Sequence, residues 1–204
     1  MKPYIITIAR QYGSGGKTVG KLLAEKLGIP CYNREIITMA SEDSGVNAVL
    51  FSDERLKSDL AERLRRHYRG NALDKLYDDD TLFEYQAKVI RKLADAGPCV
   101  LIGRCADFVL RDRTGVVRIF VHADHDFCME QARKVNSLPD EELEKKLARV
   151  DESRARFYRH HTGCDWYDAR NYDLSLNSGV LGFDGVLEEI LQYLQVRSQF
   201  SVEQ

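Results

Sequence analysis

The chain has 204 residues, with 30 Lys and Arg against 32 Asp and Glu, and a formal net charge of −2 at pH 7. That length suffices for one well-buried core with a small appended lid, and 44% hydrophobic with 30% charged residues is the balance of an ordinary globular protein. The near-neutral charge excludes a global basic field of the kind that holds nucleic acid, and no apolar run approaches the length of a signal-peptide core or a membrane span.

The first apolar run, "YIITIA" from Tyr4 to Ala9, is short and β-branched, which predicts a buried parallel strand. Lys17 to Leu27 then carries Val19, Leu22, Leu23 and Leu27 at helical spacing, with Gly28 as a C-terminal stop and Pro30 just beyond. Between strand and helix lies "QYGSGGKT", residues 11–18, which matches the phosphate-loop pattern G-x-x-x-x-G-K-[ST] except that Gln11 takes the place of the first glycine. Such a loop works because successive backbone N–H groups line a concavity and the following helix offers its positive end to an anion. Gly13, Ser14, Gly15 and Gly16 would form the cradle, Lys17 would bring an ammonium to the β and γ phosphates of ATP, and Thr18 would give its hydroxyl to Mg²⁺. The bland alternative is a tight strand-to-helix turn with Lys17 simply solvated. The strand before it and the helix after it favour the phosphate reading.

"CYNREIITMA" reads as a short strand followed by a helix start. "SDERLKSDLAERLRRHY", with Leu56, Leu60 and Leu64 four apart, reads as an amphipathic helix with a wet face, and "RGNALDKLYDDD" as an acidic surface loop. Thr81 and Glu84 are spaced as a capping box for a helix through about Ala96, ended by Gly97-Pro98. "CVLIG" and "VVRIFVHA" are further strands, separated by the helix- or loop-sized "RCADFVLRDRTG". From His125 to about Arg159 the chain is charged and helical, interrupted at "NSLPDEE" with Asp140 as the expected cap. "TGCDWYDARN" is an irregular loop, "YDLSLNS" alternates like a last strand, and "FDGVLEEILQYLQV" closes the chain as a helix with Val186, Ile190, Leu191 and Leu194 on one face. Strands alternating with helices imply a parallel sheet covered on both faces. Cys31, Cys99, Cys105, Cys128 and Cys164 include no C-x-x-C pair, and several lie in apolar runs, which points to a reducing, cytoplasmic compartment.

Four stretches, "ARQYGSGGKTVG", "CVLIGRCADFVL", "RIFVHAD" and "DESRARFYRHHTGCDWYDARNYDLSLNS", make the chain resemble the cytidylate kinase-like family of P-loop kinases over nearly its whole length. The resemblance implies an α/β fold of three layers: a five-stranded parallel sheet with helices on both faces and a helical lid. It implies one kinase domain over 1–204, with an acceptor-binding region at about 31–80 and the lid at 137–170. Arg104 looks like the guanidinium that meets the acceptor phosphate, although Cys105 stands where that family's bacterial kinases have the aspartate of "GRD", leaving Asp107 as its displaced counterpart. Asp151 and Arg154 match part of the lid signature "R-D-x-x-R", with Val150 in place of its first arginine, and Asp168-Ala169 and Tyr172-Asp173 match further on. Asn33, Arg34 and Glu35 stand where those kinases have "DSG".

Phosphoryl transfer asks for positioning and charge neutralisation, which bidentate guanidinium groups supply well. Arg154, Arg156 and Arg159 lie within one and a half helical turns, and Arg154 and Arg156 diverge, so at most two can face one cleft. Asp151 with Arg154 also has the spacing of a plain intrahelical ion pair. Asp107, Glu35 and Asp168 are the candidate general bases. His160 and His161 are adjacent and lack metal-ligand spacing with another His or Cys, so no zinc site is expected. Trp166, Tyr167 and Tyr172 read as base-stacking candidates or, more simply, as core. The expectation is therefore an ATP- and Mg²⁺-dependent kinase with catalytic Lys17, Arg104 and Arg154. Its partner is a small-molecule phosphate acceptor, preferably a nucleoside monophosphate such as CMP, with neither nucleic acid nor membrane involved. The rivals are a kinase for another small metabolite and a nucleotide sensor without turnover; no feature signals an oligomeric state.

Overall fold

The computed structural model describes residues 4–46, 48–51 and 79–200. The charged helix expected at 52–68 and most of the loop expected at 69–80 lie outside the described residues. Five strands run in chain order: β1 (Ile5–Arg10), β2 (Cys31–Tyr32), β3 (Cys99–Ile102), β4 (Val116–His122) and β5 (Leu174–Asn177). They form one sheet in the order β2-β3-β1-β4-β5, with every pairing parallel. β1 is central, with Ile5 paired to both Cys99 and Val116. A parallel sheet must be covered on both sides, and these strands accordingly read as nearly unbroken apolar runs.

The covering helices are α1 (Gly16–Leu27), α2 (Glu35–Ser44), α3 (Asp79–Ala96), the short α4 (Ala106–Val109), α5 (His125–Lys134), α6 (Asp140–Thr162) and α7 (Ser178–Phe200), the last kinked at Gly182. The pleat of the strands sorts side chains into two layers. Ile6 and Ile8 of β1, with Val100, Ile102, Val117, Ile119 and Val121, pack against Val19 and Leu23 of α1 and Val186, Ile190 and Leu194 of α7. On the other face Ile5, Cys99, Leu101 and Val116 meet Ile36 and Ile37 of α2, and Leu82, Ile90 and Leu93 of α3. This is the expected three-layer α/β architecture, with all five strands formed.

Local differences from the sequence reading have simple causes. α3 begins at Asp79 rather than after Thr81, so Thr81 is inside the helix and no capping box forms at Thr81–Glu84. Asp79 and Asp80 in its first turn complement the positive end of the helix dipole. Asp140 is the first residue of α6 and not its cap; Pro139 holds the cap position, and the Asp140 carboxylate accepts from Arg133 Nε at 2.9 Å. Asp124 is a true cap, accepting from Phe127 N–H at the start of α5. Asp173, before β5, receives Arg118 Nη2 at 3.0 Å and the Arg118 backbone N–H at 2.8 Å, which fastens β5 to β4.

Ile8 is fully buried at the centre of the sheet. Ile8→Ala should lower the unfolding free energy by ~2–5 kcal/mol in a urea titration, through lost transfer energy and the cavity left behind.

Candidate functional site

Open parallel sheets bind ligands beyond the carboxyl ends of their strands. Here that edge is built from the loop after β1, the turn after β3, the start of α7 and the middle of α6. In the first of these, Gly13 (φ +83°) and Gly15 (φ +74°) adopt the left-handed conformation, and a Cβ on Gly13 would run into the Cys128 carbonyl of α5. Only glycine fits there without strain. Gly15 is the residue before α1; no side chain caps the helix, its first turn holds no acidic residue, and Val19 N–H makes the first bond, to the Gly15 carbonyl. The earlier amides of α1 therefore lack intrahelical acceptors. Lys17 and Thr18 are exposed in that first turn. An uncapped positive helix end with a lysine beside it suits a polyanion such as the phosphate chain of a nucleotide.

Ser14 is the buried anchor of the loop. Its Oγ lies 3.0 Å from the carbonyls of both Gln11 and Val121, and the Ser178 hydroxyl approaches the Ser14 carbonyl at 2.7 Å. Gln11 explains its own presence: Oε1 accepts from Ala123 N–H at 3.2 Å, so the residue that replaces a glycine stitches the loop to the end of β4. Ser178→Ala, which leaves the Ser14 and His122 carbonyls without this donor, should cost ~1–3 kcal/mol of stability by chemical denaturation.

α6 supplies the other wall. Leu143, Leu147, Asp151, Arg154, Tyr158 and His161 recur three or four residues apart and so form one stripe. Leu143 and Leu147 pack against Cys128, Met129 and Ala132 of α5. Asp151 Oδ1 accepts from Tyr12 N–H at 2.8 Å, and Arg154 Nη1 donates to the Arg10 carbonyl at 3.0 Å and to Asp151 at 3.1 Å. The anticipated ion pair thus exists, but it also clasps the backbone where β1 enters the glycine loop. Burial pushes the Asp151 carboxyl above its ordinary range, opposed by the charge of Arg154 and the Tyr12 N–H. Of the three clustered arginines, Arg156 lies near Glu152 at 4.0 Å and Arg159 near Asp165 at 3.7 Å, both largely exposed, so Arg154 alone of the three makes this contact.

The turn after β3 is bent in an unusual way. Gly103, Arg104 and Cys105 are all left-handed, at φ +73°, +61° and +54°. Non-glycine residues in that region cost of order 1–2 kcal/mol each and persist only where surrounding contacts impose them. Arg104 Nη1 donates to the Phe51 carbonyl at 3.1 Å, and the Arg10 guanidinium packs against Gly103 where a Cβ would stand. Arg10 went unnoticed in the sequence; its signal was its place as the last strand residue before the glycine loop.

The remaining candidates are occupied elsewhere. Asp107 is buried and accepts from Tyr158 Oη at 2.7 Å; burial raises its pKa despite that bond. It faces the packed interior with Tyr158, not solvent. Asp168 caps the turn at 169–171 and takes the Arg170 fork, which holds its carboxyl down at about 2, so the structure gives it a structural task rather than a place among the basic side chains. Glu35 accepts from the Asn33 N–H and its own backbone, which lowers its pKa. Trp166 and Tyr172 are core, packed edge-on and stacked against Phe120, while Tyr167 is half exposed and lies edge-on to Phe120 at 6.1 Å.

With the site described, comparison with known proteins is decisive at the level of family: the cytidylate kinase-like family matches residues 5–180. The chain belongs to the cytidylate kinase-like family. Among solved structures, this cytidylate kinase-like chain is similar to a Eubacterium ventriosum protein described as uncharacterized, at 23% identity over 94% of this chain and 98% of that one, with a TM-score of 0.71. It also resembles the Acinetobacter baumannii shikimate kinase in complex with shikimate (15% identity, 96% and 94% coverage, TM-score 0.54) and a gluconokinase from Sinorhizobium meliloti (16%, 96% and 98%, 0.50). These likenesses show the fold of P-loop kinases. No curated protein matches the chain by sequence. Among the described residues no helix is long and apolar enough to cross a membrane.

Because the folded state holds the Asp107 proton more tightly than the unfolded chain, with its ordinary carboxylate pKa of ~3.9, this group withdraws stability as pH rises from that value through its raised folded pKa. Asp107→Asn removes the effect. The melting temperature of the variant minus that of the native chain should therefore climb as pH rises from about 4, measured by calorimetry in matched buffers.

Proposed function

We propose that the chain transfers the γ-phosphoryl group of ATP to a small-molecule acceptor, with a nucleoside monophosphate such as CMP preferred. The observation that carries the reading is the uncapped start of α1, with left-handed Gly13 and Gly15 before it and exposed Lys17 and Thr18 in its first turn. Family membership supports the nucleotide as acceptor. The bond between the γ phosphorus and the oxygen retained by ADP breaks, and a bond to an acceptor oxygen forms.

In this reading the amides of Gly13 to Gly16 hold the phosphate chain and Lys17 answers its negative charge. Thr18 would hold Mg²⁺ through its hydroxyl, and the ion when bound supplies further charge neutralisation. Arg104 binds the acceptor phosphate, fixed in direction by its bent backbone. Arg154, with Asp151 orienting it, serves the transferring group from a lid spanning 137–170, and 31–80 shapes the acceptor side. Closing that lid excludes water, which would otherwise compete as acceptor. A phosphate acceptor is already an anion and needs little deprotonation, which accords with Asp107, Asp168 and Glu35 being engaged elsewhere. The work is that of a single kinase domain in the cytoplasm.

The reading is tested by mixing the protein with Mg-ATP and a panel of nucleoside monophosphates, plus hydroxyl acceptors including shikimate, and measuring ADP. Turnover on CMP or another monophosphate is expected, and Lys17→Ala should reduce it at least ~100-fold with an unchanged melting temperature. Undiminished turnover in that variant overturns the assignment. ATP binding without ADP from any acceptor would make the chain a nucleotide sensor instead. Turnover confined to a hydroxyl acceptor would replace the monophosphate.

A further inference from the structure

Away from the glycine loop, the C-terminal end of α6 meets the first turn of α3. There Asp80 Oδ1 stands 3.2 Å from His160 Nε2 and 3.3 Å from His161 Nδ1, and the three donor atoms all lie within 4.8 Å of one another. We propose that Asp80, His160 and His161 form a binding site for a divalent transition-metal ion of the Zn²⁺, Co²⁺ or Ni²⁺ class, which cross-links α3 to α6.

The spacing fits. A tetrahedral ion with ligand bonds of ~2.0–2.1 Å has neighbouring donors ~3.3–3.4 Å apart. Adjacent residues on a helix point about 100° apart, which is why the sequence argued against a shared ion. The structure resolves the difficulty by using different nitrogens. His160 presents its far nitrogen and His161 its near one, and the rings meet edge to face with centroids 4.6 Å apart.

The site is preorganised on one side and open on the other. The His161 side chain is 2% exposed, stacked on Phe83 at 4.2 Å and edge-on to Phe157 at 4.4 Å, so its ring is fixed before any ion arrives. His160 and Asp80 are 58% and 70% exposed and border a cleft of ≈ 780 Å³, which gives an ion a way in and a water the fourth position. Other cations of that cleft have carboxylates of their own: Arg91 lies 3.9 Å from Glu84, Arg111 3.5 Å from Asp112, and Arg113 pairs with Asp95. Asp80 therefore serves the imidazoles. Two imidazoles and one carboxylate select a borderline transition metal over Mg²⁺, so the site is chemically distinct from the one at Thr18. From Asp151 to His160 α6 advances roughly 13 Å, which also separates the two in space.

The test needs no turnover. The full chain, stripped with a chelator, is titrated with Co²⁺ alone and with Zn²⁺ alone, following the visible bands of four-coordinate cobalt and the heat of binding. One equivalent should bind, with a higher melting temperature in its presence. Because His161 is packed in the core, the decisive variants are His160→Ala and Asp80→Asn, whose side chains are exposed; each should weaken binding at least ~10-fold while leaving the metal-free melting temperature close to native. Absence of stoichiometric binding overturns the proposal. Binding that is equally tight in both variants overturns it too, because the ion then sits elsewhere. Loss of kinase turnover in any preparation has no bearing on either result.

Discussion

Two hydrogen bonds between the middle of α6 and the exit of β1 set the geometry on which the rest of the site depends. Tyr12 N–H donates to Asp151 and Arg154 donates to the Arg10 carbonyl, so a helix more than a hundred residues away in sequence is keyed to the backbone at the mouth of the glycine loop. A nearly buried carboxylate is tolerable only because a donor and a cation meet it; either partner removed alone would strand a charge in a poor solvent. Once that register is fixed, helical periodicity fixes the rest. Seven residues on, Tyr158 reaches Asp107, and ten residues on, His161 reaches Asp80. The stripe begins in leucine against α5 and becomes polar as it crosses the sheet edge.

The fold was legible because its signals are local. Short β-branched runs, Gly28 and Gly97-Pro98 as stops, and a strand–glycine–helix sequence each report on a few residues, and the structure follows them to within one or two positions. The errors were also local. Thr81 and Asp140 have capping chemistry, yet helices begin where the whole first turn is best accommodated, and acidic residues suit positions inside that turn as well as before it.

The side-chain constellation was only half legible. Arg104, Asp151 and Arg154 could be singled out because they match motifs of the family the chain resembles, and Asp151 with Arg154 also has the spacing of an intrahelical ion pair. Their partners could not, because a backbone carbonyl such as that of Phe51 or Arg10 carries no sequence signature. The same applies to Asp80 with His160 and His161: a cluster drawn from two helices eighty residues apart becomes visible only once the sheet has brought them together. Gln11 shows the converse. As a departure from a pattern it looked like a defect, and its amide turns out to satisfy Ala123 N–H across the loop.

The three left-handed residues at 103–105 have an energetic meaning for the acceptor binding proposed at Arg104. A flexible arginine loses rotational freedom when it captures an oxyanion, and that loss is subtracted from affinity. Here the chain has already been bent and the guanidinium already tethered when folding ends. An oxyanion arriving at Arg104 would find a rigid fork, and what selectivity it meets would come from shape and distance rather than from a side chain bending to suit whatever enters.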